Sequence, residues 1–124
     1  MGAIENKHTA EAAYEAFEKG DAEGAMRDID DSIEWTVRGH SALSGKYKGK
    51  QEVGRLWGEL MTKGFRTQPH DYIAEGDKVV VLTTVHIDGE SSESADVLTS
   101  NSDGKLIAFE SLGDESLLDR AFPS

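Results

Sequence analysis

The chain of 124 residues has no cysteine. That excludes disulfides, thiolate metal sites and thiol redox chemistry. Basic residues are also scarce, 13 Lys and Arg against 24 Asp and Glu, for a net charge of −11. Nucleic-acid binding rests on cations that neutralise phosphates, and anionic membranes attract the same cations, so neither partner is expected. The acids are scattered rather than blocked, which suits a solvated surface. No apolar run approaches the length of a membrane span. The start, MGAIENKHTAEAAYEAF, has neither a basic n-region nor an apolar h-region. Asn6 stands where a myristoylation signal wants Ser or Thr. A cytoplasmic protein is the expectation.

Chemical signatures are sparse too. His8, His40, His70 and His86 show no HxH or HExxH spacing, so no metal site is expected. In GHSALSG, Leu43 replaces the second glycine of a nucleophile elbow. GKYKGK is not a phosphate-binding loop, and no dinucleotide fingerprint occurs, so no cofactor is expected.

What is present is a clear change of period. Ala10, Ala13, Tyr14 and Phe17 fall on one helical face, Gly20 suits the position just past a helix, and Asp21 can cap a short second helix through Ile29. In SIEWTVR, Ile33, Trp35 and Val37 alternate with polar residues and predict a half-buried strand. GHSALSGKYKGK reads as a loop. KQEVGRLWGELMTKG places Val53, Leu56, Trp57, Leu60 and Met61 on one face of a helix. Gly54 and Gly58 inside it suit close packing on a sheet. Strands are expected over Phe65–Ala74, Lys78–Ile87, Ser94–Ser100 and Lys105–Leu112, joined by the turns Glu75-Gly76-Asp77, Asp88-Gly89-Glu90 and Asn101-Ser102-Asp103-Gly104. Short loops favour antiparallel hairpins. With no repeat and no linker, residues 1–124 read as a single α+β domain.

VVVLTTVHI is apolar on both alternating faces at its start: Val79 and Val81 on one, Val80 and Leu82 on the other. An antiparallel sheet normally leaves one face wet. The helices can cover one face and a second copy of the chain the other. With Val97 and Leu98 counted as further outer apolar positions, a homodimer through the sheet is expected. A strand buried by its own curled sheet is the alternative.

The segments AYEAFEKGDAEGAM, DDSIEWTV, GHSALSGKYKGKQEVGRLW, DYIAEGDKVVVLTTVHIDG and DVLTSNSDGKLIAFESL, taken in order, resemble the SnoaL-like branch of the NTF2-like superfamily. The resemblance runs from about Glu11 to Phe122. That superfamily includes polyketide cyclases, ketosteroid isomerases and limonene epoxide hydrolase. The resemblance implies a cone: N-terminal helices packed in a strongly curved, mostly antiparallel sheet, around a cavity that binds a small, mostly apolar molecule.

Asp96 opens an apolar stretch and matches the family's pocket acid. In cyclases the resemblance implies a base that removes a proton beside a carbonyl. In ketosteroid isomerases it implies a protonated acid that donates to an oxyanion. An apolar site raises a carboxyl pKa in either case. Alternatively, Asp96 pairs with a cation or faces solvent. His86 resembles the strand-end His that assists the acid in cyclases. A register slip of one residue would turn it outside and Ile87 inward. Trp35 stands where ketosteroid isomerases have the proton-shuttling Asp. Ala13 stands where they have the oxyanion Tyr, with Tyr14 one helical step away, about 100° of rotation. Both departures argue against steroid isomerisation by that mechanism. The Arg and paired acids of limonene epoxide hydrolase have no clean counterparts.

Cavity-lining candidates are Trp35, Val37, Trp57, Leu60, Phe65, Leu98, Ile107, Phe109 and Ser111. Trp35 and Phe109 are the first choices for ligand contact, and Tyr14 and His40 are polar residues within reach of the cavity or its mouth. Three functions fit: proton transfer by Asp96, with His86, on a small carbonyl or polyketide-like compound, of isomerase or cyclase type; non-catalytic binding of a small ligand; and an interaction scaffold with a filled interior.

Overall fold

The computed structural model describes residues 2–113 and 115–124. Helix α1 (Ala3–Glu18) turns Ala10 and Tyr14 inward, as its apolar spacing requires. It ends in a Schellman motif: the Gly20 N–H donates to the Phe17 carbonyl and the Asp21 N–H to the Ala16 carbonyl. Gly20 makes this possible with φ +78°. Asp21 then caps α2 (Ala22–Met26), its carboxylate accepting from the Gly24 N–H at 2.9 Å.

Strand β1 (Ile29–Val37) buries Ile33 completely. The segment expected to be all loop contains a short edge strand, β2 (Gly45–Lys48), paired with β1. Its glycine and lysine content hides a strand that Tyr47 anchors by packing on the core. Helix α3 (Gly49–Met61) buries Val53, Leu56, Trp57 and Leu60. Met61, placed on the same face by spacing, is 47% exposed at the helix end. Gly54 lies against Met26 of α2 rather than the sheet.

The meander follows: β3 (Arg66–Glu75), β4 (Lys78–Ile87), β5 (Glu90–Ser100) and β6 (Leu106–Gly113), then a last helix α4 (Ser116–Ala121). Strand β5 begins four residues before the expected Ser94, because residues 90–93 complete the ladder with β4 despite their polar character. The six strands run in the order β2-β1-β6-β5-β4-β3. All neighbours are antiparallel except β1 and β6, which are parallel. This is the α+β architecture, helices against a mostly antiparallel sheet, that the resemblance implies. Helix α1 packs on β3 and β4, and α3 on β1 and β2. Register shifts in β1, β3 and β5–β6 mark bulges, which bend strands and increase their twist.

Along β4, Val79, Val81, Thr83 and Ile87 are buried under the helices, while Leu82 is 39% exposed on the outer face. Leu98, counted as an outer position, is buried on the inner face: it shares the parity of Asp96, and Val97 is the outer residue. Ile73 and Leu112 are exposed, and the ladders place Ile73 beside Val80 and Leu112 beside Ala95, next to Leu82.

Candidate functional site

Between the helices and the inner face of the sheet lies a cavity of about 200 Å³ with mainly apolar walls. Helix α1 contributes Ala13, Tyr14 and Phe17; α3 contributes Leu56, Trp57 and Leu60; the strands contribute Trp35, Val37, Leu98 and Phe109. Trp35 and Phe109 are cross-strand neighbours on the parallel pair and stack at 3.7 Å between ring centroids, 14° from parallel. Trp57 meets Trp35 edge-on at 5.7 Å. These flat faces form an aromatic wall of the kind that receives a planar, mostly apolar molecule.

Asp96 lies on the inner face of β5, between Val81 of β4 and Ser111 of β6, and is only 3% exposed. The Tyr14 hydroxyl donates to its Oδ2 at 2.5 Å. The Ser94 hydroxyl donates to its Oδ1 at 3.3 Å and lies 2.6 Å from the Ser111 hydroxyl. Burial pushes the Asp96 carboxyl above its ordinary range, and the hydroxyls of Tyr14, Ser111 and Ser94 pull the other way. The hydrogen bonds of Asp96 thus come from neutral hydroxyls, rather than from a cation. Burial, with the Asp96 charge beside it, also pushes Tyr14 well above the usual phenol range, so the phenol stays a donor. Tyr14 is fixed in turn by an edge-on contact with Tyr72 at 6.0 Å.

One helical step from Ala13 does not turn Tyr14 away, as its rotation suggested: both residues line the cavity, and the long phenol reaches the acid that Ala13 cannot. His86 is on the outer face, where Nε2 lies 3.2 Å from Gln68 Oε1, and Ile87 points inward instead. The β4 register sets this parity. His40 is exposed and does not line the cavity, and its backbone N–H donates to Asp119 at 3.0 Å. Leu106 takes the place expected for Ile107, because the register shift after Thr99 changes which β6 residue faces the cavity. Ser94 was missed, although it lies two residues before Asp96 and therefore shares its face. Asn6 Oδ1 and Thr67 Oγ1, in residues that also line the cavity, are buried without a hydrogen-bond partner. Among the described residues no group of His, Cys, Asp and Glu could hold a metal ion. No helix among them is long and apolar enough to cross a membrane.

The model of the SnoaL-like domain matches residues 10–109, which hold the Tyr14–Asp96 pair and the aromatic wall. The chain belongs to the SnoaL-like domain family. Solved SnoaL-like and NTF2-like folds agree over nearly the whole chain. An NTF2-like protein of unknown function from Burkholderia pseudomallei is 25% identical, with 97% of this chain and 98% of that one covered at a TM-score of 0.84. TerC, co-crystallized with polyporic acid, is also 25% identical, covering 97% and 99% at a TM-score of 0.84. Bal32a, from a soil-derived mobile gene cassette, is 20% identical over 97% and 98% at a TM-score of 0.83. No protein of curated function matches.

Proposed function

We propose that this SnoaL-like protein binds a small, planar, mostly apolar carbonyl compound and moves a proton on it with Asp96, in the manner of an isomerase or cyclase. The observation that carries this reading is the Tyr14–Asp96 hydrogen bond, buried at a mainly apolar cavity wall. A desolvated carboxyl with a raised pKa can take a proton from a carbon beside a carbonyl near neutral pH and return it. The C–H electron pair passes into an enolate. Once Asp96 is neutral, the Tyr14 hydroxyl is free to donate to the enolate oxygen. Return of the proton to a second carbon gives the rearranged product, and no co-reactant is consumed. The similar protein TerC is co-crystallized with polyporic acid, which supports an organic small molecule as the ligand here.

The test is deuterium incorporation in D₂O, at the carbon beside the carbonyl, across a panel of planar cyclic ketones. Wild type should exchange those it binds, and Asp96→Asn should bind them without exchange. Equal exchange by the variant would end the acid–base role. A second reading, non-catalytic ligand binding, draws on the outward His86 and on Trp35, which leave Asp96 without a histidine or a second acid at those two positions. Binding by wild type without any exchange would establish it.

We also infer a homodimer through the outer sheet face. Ile73, Leu82 and Leu112 are exposed there beside Val80 and Val97, an apolar area that a second sheet would bury.

A further inference from the structure

Asp96 is served by more than Tyr14. On its Oδ1 side two serines from neighbouring strands form a hydroxyl pair, Ser94 of β5 and Ser111 of β6, 2.6 Å apart. Ser94 reaches Asp96 directly at 3.3 Å. For this, the Ser94 side chain must lie over the end of β6, where its cross-strand neighbour is Gly113.

Gly113 allows that placement. A Cβ added there would lie 2.8 Å from Ser94 Oγ, 2.9 Å from Ser94 Cβ and 3.1 Å from the Glu93 carbonyl oxygen. Directly opposed Cβ atoms in antiparallel strands are normally about 4.5–5.5 Å apart. A separation of 2.9 Å cannot be relieved by rotating a hydroxyl, because it involves the Ser94 Cβ itself. Backbone conformation does not call for glycine here, since Gly113 is absent from the positive-φ residues. The missing side chain therefore supplies space, and the side chain that fills the space is a donor to Asp96.

We propose that Gly113 is a positioning residue for Asp96: it leaves the room in which Ser94, braced by Ser111, aims its hydroxyl at the carboxylate, and this serine pair controls how readily Asp96 releases its proton. The proposal rests on the reading of Asp96 as the proton-transfer group, which it deepens. Hydroxyls that donate to a carboxylate favour its charged form and oppose the effect of burial. Without the pair, Asp96 would hold its proton to higher pH.

The experiment is a ¹³C titration of the Asp96 carboxyl in ligand-free wild type, Ser94→Ala, Ser111→Ala, Gly113→Ala and the double variant Ser94→Ala/Gly113→Ala, with folding checked by circular dichroism. Each single variant should raise the Asp96 midpoint. Gly113→Ala should match Ser94→Ala in direction and size, although it removes no hydroxyl. The double variant should add nothing to Ser94→Ala alone. An unchanged midpoint in a folded Gly113→Ala would overturn the proposal. If Gly113→Ala does not fold, an unchanged midpoint in Ser94→Ala overturns it, and a raised midpoint there supports the serine pair. These readings need no substrate, so they stand or fall separately from any failure of Asp96 to turn a ketone over.

Discussion

Tyr14 of helix α1 and Asp96 of strand β5, 82 positions apart in the chain, share a buried hydrogen bond of 2.5 Å. This contact ties the first helix to the middle of the sheet and places an ionisable pair where a hydrophobic pair would pack at less cost. Its energetic signature separates a site kept for chemistry from one kept for stability.

Asp96→Asn should raise stability at neutral pH. The folded Asp96 pKa lies above its ordinary value of 3.8, so between the two pKa values the folded state binds more protons than the unfolded state. Stability then falls as pH rises through that window, and wild type carries the full cost above it. Asparagine removes the charge yet still accepts from Tyr14. A gain on the order of 1 kcal/mol, or a few degrees in Tm, is expected at pH 7. It should shrink as pH falls below the folded pKa. Thermal unfolding of both proteins across pH checks this.

Tyr14→Phe should do the opposite. It removes a donor from a buried acceptor, a loss of about 1–3 kcal/mol. It should also push the Asp96 pKa further up, because the charged form loses its shortest hydrogen bond. Urea unfolding measures the first effect and carboxyl titration the second.

His86→Ala should leave ligand affinity and proton exchange as in wild type, because the imidazole is on the outer face beside Gln68. Trp35→Ala should weaken binding of a planar aromatic ketone tenfold or more, through loss of the ring stacked on Phe109. Quenching of the remaining tryptophan, Trp57, gives a common binding readout, since it also lines the cavity.

Leu82→Glu should separate a dimer into monomers without unfolding the chain, as Leu82 is 39% exposed on the outer face. Light scattering should then report the chain mass of 13.5 kDa, against twice that for wild type. Wild type at 13.5 kDa would contradict the dimer.

Local periodicity made most elements legible. Gly20 and Asp21 marked the α1–α2 junction, and alternation through Ile33, Trp35 and Val37 marked β1. Asp96 stood out because an acid in an apolar strand needs a reason. What stayed hidden depended on contacts between distant segments. The parallel β1–β6 pair joins the β1–β2 ladder to the last strand of the meander, which hairpin logic does not connect. The inward or outward facing of Leu98, Ile107 and His86 hangs on register, and one bulge or one residue of slip reverses it. Helix α4 is a single short element after the last strand, with no long apolar period to announce it. Ser94 could have been placed by parity with Asp96. Its pairing with Ser111 and its fit over Gly113 required the β5–β6 ladder.

The most direct test of the central claim is the pKa of Asp96 in the wild-type protein, read by ¹³C NMR of the side-chain carboxyl and assigned with Asp96→Asn. A midpoint well above the ordinary 3.8 is the result expected for a desolvated acid that trades a proton inside the cavity. A midpoint at or below 3.8 would mean that hydrogen bonds, solvent or a cation outweigh burial at the carboxylate, and would contradict the account.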